Sequence, residues 1–234
     1  MSRGARRAVI AIVVLLALLI AADRISLVVA EGVAADSIKS SQHLDSTPSV
    51  SAKGFPFLTQ LISGNYDEID VKAHGLTVDP SGRQLRVDVV TVVLHGVHVS
   101  HGYSVLQADR ADATALIRYT DLSRTLGTSI TYAGSGRVRA SAGVTVGGVT
   151  LRGSVSARPD LTSSSTLSFA DPQVSAAGIS VPTALTNTLS SIFQPTISLA
   201  ALPFGLTFTA ITATAAGVVA HLRGTHVTYD SRRS

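Results

Sequence analysis

The sequence predicts an α+β fold in which a long antiparallel meander sheet is accompanied by a few helices. Apolar and polar residues alternate with a period of two in many runs after Tyr66. Turn signals such as Pro80-Ser81-Gly82 and Gly147-Gly148 separate most of these runs, which favours hairpins between sequential strands. Short segments with helical spacing interrupt the meander, and we expect them to cover the sheet.

Strands are predicted wherever the alternation persists, with one turn at Pro159-Asp160. Residues 89–94 are apolar on both faces, so either protein covers both faces or one face lines a cavity. A core of alanine, valine, threonine and glycine, in a chain with only 5% aromatic residues, favours the cavity because it fills volume poorly. The predicted strands cover residues 66–73, 85–93, 109–117, 129–132, 137–146, 149–157, 167–174, 207–215 and 226–229.

Helices are predicted where proline or a capping residue precedes an apolar run and glycine follows it. Pro56 fits the first turn of a short helix that Gly64 ends. Thr120 is expected to cap a second helix, which Gly127 ends. A longer amphipathic helix is predicted to begin at Val181.

The N-terminus has the layout of an export signal or a membrane anchor, because three arginines precede the fifteen uninterrupted apolar residues 8–22. Either cleavage follows Ala22 or Ala30, or the helix continues through Ala30 as an uncleaved anchor with its basic end inside. We therefore assign residues 1–24 to a signal peptide or signal anchor and residues 25–234 to an extracytoplasmic domain. The arginines are Arg3, Arg6 and Arg7.

Beyond the apolar run, hydrophobic residues recur at steps of three and four among charged residues. This spacing predicts an amphipathic helix that leads directly out of the apolar segment. Its apolar residues are Ile25, Val28, Val29, Val33, Ala34 and Ile38.

Composition excludes several classes of protein. The 234 residues are 45% hydrophobic and 15% charged, which is typical of one sizeable folded domain rather than a disordered chain. The formal charge is +4, and the three N-terminal arginines account for all but +1 of it, which argues against nucleic-acid binding. The chain has no cysteine, which excludes disulfides, thiolate chemistry and attachment of a lipid through cysteine.

Three closely spaced histidines are the candidate ligands for a metal ion. His95, His98 and His101 are spaced by three residues on a predicted strand, so neighbours point to opposite faces. His95 and His101 share a face but lie about 20 Å apart along a regular strand. Because zinc needs its ligands about 2 Å from one point, we predict structural or surface roles and no metal.

No group of residues in the sequence assembles a nucleophile, a base and an orienting group. Glu68 and Asp70 share one strand face and alternate with apolar neighbours, which indicates a solvated face rather than a pair of catalytic carboxylates. The motifs of serine hydrolases, phosphate-binding loops and zinc proteases are absent from the sequence. We therefore predict a protein that is not an enzyme and that has no cofactor.

Two apolar corners pair proline with phenylalanine and are the candidate binding elements. Their residues either form hydrophobic core at the end of the sheet or line the mouth of an apolar pocket that contacts acyl chains. The candidate lipid-binding residues are Phe55, Phe57, Leu58, Leu61, Ile62, Leu202, Phe204 and Leu206. The arginines considered as phosphate partners are Arg83, Arg86, Arg137, Arg139 and Arg152.

The chain resembles the LmeA-like phospholipid-binding family of actinobacterial envelope proteins. The resemblance is carried by Gly54-Phe55-Pro56-Phe57-Leu58-Thr59-Gln60-Leu61 with Gly64 and Tyr66, by Leu202-Pro203-Phe204-Gly205-Leu206, and by Arg118-Tyr119-Thr120-Asp121-Leu122. It implies a strongly curved sheet wrapped around helices, similar to tubular lipid-binding folds. It also implies handling of a phospholipid or a phosphatidylinositol-derived glycolipid, with no catalytic residues to transfer.

The expected function is therefore lipid binding on the extracytoplasmic side of the cytoplasmic membrane, in the handling of cell-envelope lipid or lipoglycan. The alternative is a ligand-free scaffold, or an accessory subunit that docks an envelope biosynthesis enzyme through the same apolar corners. The expected partners are a phospholipid or glycolipid and the membrane, without nucleic acid.

Overall fold

The computed structural model describes residues 3–41, 44–78, 84–100, 105–146, 149–163, 166–176, 197–198 and 206–230. The helices in these ranges are α1 (Arg3–Ser41), α2 (Phe57–Ser63) and α3 (Tyr119–Leu126). The strands are β1 (Ser49–Lys53), β2 (Asn65–Val78), β3 (Leu85–Ser100), β4 (Val105–Ile117), β5 (Ser129–Gly134), β6 (Arg137–Val146), β7 (Val149–Ser163), β8 (Thr166–Ala176), β9 (Ile197–Ser198), β10 (Thr207–Ala213) and β11 (Val218–Asp230).

The described strands form two antiparallel sheets, so the predicted mostly antiparallel α+β architecture is confirmed. The first sheet has the order β1-β2-β3-β4-β11-β10, and the second has the order β5-β6-β7-β8-β9. Neither sheet closes on itself within the described ranges. The meander is therefore divided in two where α3 separates β4 from β5, and the chain returns to the first sheet through β10 and β11.

The two predicted hairpins are borne out by strand register. Val78 pairs with Leu85 across the first predicted turn, and Val146 pairs with Val149 across the second. The turn residues 79–83 and 147–148 themselves lie outside the described ranges.

The predicted turn at Pro159-Asp160 is wrong, because both residues lie inside β7. Pro159 pairs with Phe169 of β8 on one side, whereas β6 pairs with β7 only as far as Ala157. Beyond that point β7 is locally an edge strand, so the missing N–H of proline leaves no gap in a ladder. A register shift between Ser156 and Arg158 marks the change.

The short helices end as predicted, but the start of α3 differs. Gly64 and Gly127 adopt left-handed φ angles of 71° and 66° after α2 and α3. The N-cap of α3 is Arg118, so Thr120 lies inside the helix and does not cap it. The helical turn begins earlier because the Arg118 carbonyl already accepts from the backbone of residues 121 and 122. The helix predicted from Val181 lies outside the described ranges.

Helix α1 is continuous over 39 residues, which corresponds to about 58 Å. Among the described residues it is the one helix long and apolar enough to cross a membrane, a property that N-terminal signal sequences share. The C-terminal half of α1 does not bury the apolar stripe of the amphipathic helix that the sequence predicted. The side towards the first sheet carries Leu27 and Ala30, whereas four residues of the stripe face outward. These outward residues are Ile25, Val28, Val29 and Val33.

A shared core joins the two sheets beside α3. Buried Val155 of β7 and Val218 of β11 belong to one cluster, against which Tyr119 of α3 packs. The Tyr119 hydroxyl donates a 2.7 Å hydrogen bond to the Thr214 carbonyl in the turn between β10 and β11. The ring of Tyr119 also stacks on Tyr132 at 6.5 Å. Helix α3 therefore fixes one sheet against the other.

Candidate functional site

Helix α2 and the residues just before it, which we call the α2 corner (residues 54–63), pack on one end of the first sheet. Phe57 is only 2% exposed and lies 6.1 Å from the ring of Tyr66. Leu61 packs against the same cluster, together with Leu27 and Ala30 of α1. Phe57 and Leu61 are therefore core residues, which is the structural interpretation of the sequence pattern.

The corner is tied to α1 by a charged residue. Pro56, the N-cap of α2, offers no side-chain cap, and the Leu58 N–H donates instead to Oδ1 of Asp23 over 2.8 Å. Asp23 is buried, and its Oδ2 accepts two hydrogen bonds from Arg24. A carboxylate at a helix N-terminus satisfies free N–H groups and favours the helix dipole. Asp23 therefore caps α2 from another helix.

Two candidate residues of the α2 corner point away from the core. Phe55 is 64% exposed, and the Arg24 guanidinium lies 5.3 Å from the centre of its ring. Ile62 is 85% exposed at the other end of α2. Leu58 is partly buried, between these two extremes. The corner therefore combines a sealed inner side with an apolar outer side.

One face of the first sheet is apolar across its full width. A single row of paired residues crosses all six strands and contains only hydrophobic side chains. Those on β1, β2, β3 and β10 remain partly exposed. The row consists of Val50, Val71, Val92, Ala113, Leu222 and Phe208.

The next rows on this apolar face extend it in both directions with small side chains. Towards the α2 corner lie Ala52, Leu94 and Ala111, which contact or belong to the Phe57 cluster. On the other side lie Ala115 and Ala220. Leu206 is a candidate residue from the second predicted corner. It packs against the Phe57 cluster and against a second cluster, formed by Ala113, Ala220 and Leu222. Leu202 and Phe204 lie outside the described residues.

The opposite face of the first sheet, which we call the polar face, carries a network of charged side chains beside apolar residues such as Val93. His95 lies between two carboxylates, with Nδ1 3.1 Å from Oε2 of Glu68 and Nε2 3.8 Å from Oδ2 of Asp112. Arg110 and Arg223 each contact Asp112 at 2.8 Å. The hydrogen bond from Arg223 is the main cause that lowers the pKa of Asp112 below its ordinary value; partial burial opposes it, and the positive charge of Arg110 adds to the lowering.

Metal-binding geometry is absent from the described part of the chain, which contains no suitable cluster of three or more histidine or acidic side chains. His95 belongs to the ion-pair network, and His98 is exposed on the same strand. His101 lies outside the described residues. Glu68 and Asp70 lie on the polar face, where Glu68 contacts His95 and Asp70 forms an ion pair with Lys53.

The candidate phosphate-binding arginines whose side chains the structure describes are divided between the two sheets, with Arg86 on β3 and Arg137 and Arg139 on β6. Arg137 donates hydrogen bonds to the carbonyl oxygens of Ser156 and Asp171, which gives it a structural role in the second sheet. Arg86 lies beside Gly75 of the first sheet, where a Cβ would come within 2.8 Å of its Nη2. Arg139 is exposed, while Arg83 and the side chain of Arg152 lie outside what the structure describes.

Comparison with known protein families identifies the family of this chain. A family model described as LmeA-like phospholipid-binding matches residues 21–223. The chain belongs to this family. The match confirms the resemblance predicted from the apolar corners. It covers the C-terminal half of α1, the second sheet, and the first sheet except the end of β11. Comparisons with curated proteins and with solved structures gave no significant match.

Proposed function

We propose that this protein is an extracytoplasmic, membrane-tethered lipid-binding protein that handles a phospholipid or glycolipid of the cell envelope. The membership in a phospholipid-binding family supports lipid binding. The apolar N-terminal half of α1 supports a tether in the cytoplasmic membrane, with its arginines on the inner side. The proposal assigns lipid contact only to those candidate residues that lie at the apolar face or on the outer side of the α2 corner, such as Leu206, Phe55 and Ile62.

The apolar row across the first sheet is the observation that carries the proposal. Soluble proteins seldom leave a continuous apolar surface partly exposed unless something covers it. An acyl chain bound on this surface would be stabilised, since burial of each methylene contributes about 0.8 kcal/mol. Ten methylenes would therefore contribute roughly 8 kcal/mol before the cost of ordering the chain. The proposal includes a strongly curved sheet that wraps around the helices, with the acyl chain on its apolar face.

Binding rather than catalysis is the proposed activity. The polar side chains of the first sheet lie on the opposite face, where they neutralise one another in ion pairs such as Asp112 with Arg110. The apolar row itself carries no side chain that could act as a nucleophile or a base. In this proposal, the polar groups that recognise the headgroup lie at the edge of the apolar face of the first sheet.

Native mass spectrometry of the full chain released from lipid nanodiscs tests this proposal. Two neighbouring residues of β3 form a matched pair, because Val92 lies on the apolar face and Thr91 on the other face. We expect the wild type and the Thr91→Asp variant to retain about one phospholipid per chain, and the Val92→Asp variant to lose it.

Far-UV circular dichroism serves as the folding control for both variants. Equal lipid occupancy in folded Val92→Asp and Thr91→Asp would contradict the proposal. A wild type that carries no lipid would favour the alternative, a ligand-free scaffold or an accessory subunit of an envelope enzyme.

A further inference from the structure

The outer side of the α2 corner and the outer stripe of α1 form one set of exposed apolar side chains, which we call the apolar rim. All six of its members are between 60% and 85% exposed. They follow directly on the apolar segment of α1, or lie on the corner that Asp23 binds to α1. The apolar rim consists of Ile25, Val28, Val29, Val33, Phe55 and Ile62.

We infer that the apolar rim lies in the outer surface of the bilayer that α1 enters, so that the α2 corner rests on lipid. This inference rests on the proposed membrane tether. It assigns the corner a partner that the tether alone does not require, because a tethered domain can also stand clear of the bilayer.

The length of the apolar segment supports this placement. Residues 8–22 are fifteen residues long, which corresponds to about 22 Å of helix. The hydrocarbon layer is about 30 Å thick and needs about 20 residues. The missing turn and a half must come from the residues that follow Ala22. Ile25, Val28 and Val29 supply apolar side chains there on the outward side of α1.

The two charges at this level are neutralised within the protein, which removes the main obstacle to the placement. Asp23 is 2% exposed and accepts hydrogen bonds from the Leu58 N–H and from Arg24. Arg24 in turn lies over the ring of Phe55 and keeps 46% of its side chain exposed, so it can extend towards the headgroups. A buried charge is tolerated when it is paired in this way.

The placement also explains why the corner stands at the end of the apolar face. The cluster around Phe57 contains or contacts Leu94 and Ile69, which belong to the apolar face of the first sheet. A corner in contact with the bilayer would bring this end of the apolar face next to the lipid source. The lipid would then pass from the bilayer to the sheet without crossing water.

Single-cysteine variants test the inference directly, because the chain has no cysteine of its own. We would label Ile62→Cys and Val28→Cys with an environment-sensitive fluorophore in full-length protein. The protein would be reconstituted into vesicles of phosphatidylcholine and phosphatidylglycerol. Val14→Cys, in the apolar segment, is the positive control, and Leu126→Cys, partly exposed at the end of α3, is the negative control.

Phospholipids brominated near the headgroup should quench the labels at 62 and 28, and phospholipids brominated deep in the acyl chain should quench the label at 14, while the label at 126 keeps its emission with both. A label at 62 that stays unquenched while the label at 14 is quenched would overturn the inference and leave the tether intact. A label at 14 that neither lipid quenches would overturn the tether, and with it both proposals. Shielding of the label at 62 that depends on protein concentration and not on bromine would assign the rim to a second copy, and would also overturn the inference.

Discussion

The two short helices of this protein have the same local design but different surroundings. Both begin after a residue that provides no side-chain cap, Pro56 or Arg118, and both end at a left-handed glycine. Helix α3 lies between the two sheets, where Tyr119 packs against their shared core. Helix α2 covers one end of a single sheet and leaves Phe55 exposed.

The difference lies in what each helix is attached to. Helix α3 carries its own charge pair, since Arg124 contacts Asp121 one turn earlier. Helix α2 takes its cap from Asp23, the first residue after the apolar segment. The same local signals therefore produce a closed structural joint in one place and a joint to the apolar helix α1 in the other. The apolar side chains at the second joint are also more exposed: Phe55 is 64% and Ile62 85% exposed, against 39% for Leu126 of α3.

The largest expected effect separates the two sides of the α2 corner. Phe57→Ala empties a fully buried site and should reduce the free energy of unfolding by about 3–5 kcal/mol. Phe55→Ala should cost at most about 1 kcal/mol, because it removes only an exposed ring and its contact with Arg24. Urea unfolding in detergent, followed by circular dichroism, measures both. Equal losses would show that the inner and outer sides are not distinct.

The next prediction concerns the cap that α1 provides. Asp23→Ala removes the carboxylate that accepts a hydrogen bond from the Leu58 N–H and pairs with Arg24. We expect the amides of the first turn of α2 to exchange faster with solvent, while those of α3 remain protected. Hydrogen exchange with mass spectrometry compares the two helices in one sample. Unchanged protection of α2 would rule out Asp23 as its cap.

A smaller effect is expected at the α3 joint. Tyr119→Phe removes the hydrogen bond to the Thr214 carbonyl and should lower the free energy of unfolding by about 1 kcal/mol. Tyr132→Phe, on a more exposed ring, is the matched control and should change it by less than about 0.5 kcal/mol.

The Tyr119 site also predicts a dependence on alkaline pH. Burial, with a contribution from Tyr132, raises the pKa of Tyr119 to about 12 from an ordinary value of 10.0. The neutral phenol therefore stabilises the folded state fully below pH 10, and this contribution is lost as the pH rises from there through about 12. Unfolding curves across this range should be less steep in pH for Tyr119→Phe. Identical slopes would contradict the role of the buried hydroxyl.

The smallest effect belongs to the polar face. The hydrogen bond from Arg223 is the main reason that the pKa of Asp112 lies below its ordinary value of 3.8. The stabilising contribution is therefore present above pH 3.8 and is lost as the pH falls through the folded pKa. For an exposed pair it should be less than about 1 kcal/mol. Asp112→Asn should remove this part of the acid dependence, which unfolding at matched pH values would detect.

Local signals in the sequence predicted much of the fold. Alternation located most strands, and the pairing of Pro56 with Gly64 located α2. The division into two sheets was not predicted, because it depends on β11 returning to β4 over more than a hundred residues. Pairing across such a distance leaves no periodic signal in either strand.

The candidate site was also only partly predicted, because it too depends on contacts between residues that lie far apart in the sequence. The proline–phenylalanine pattern singled out Phe55 and Phe57 together, yet the structure seals one and exposes the other. Their difference follows from the position of α1, which places Asp23 and Arg24 against the corner. An acidic residue directly after an apolar run was the available signal, and only the fold gives it a partner.

Cross-linking with a phospholipid that carries a photoactivatable group at the end of its acyl chain tests the central claim most directly. With the full chain in vesicles, the account predicts adducts on Val71, Val92 and Leu222, which share the apolar row, as well as on the apolar segment of α1. Thr91 and His221, on the opposite face, should remain unmodified. Adducts confined to the apolar segment, or spread equally over both faces of the first sheet, would contradict it.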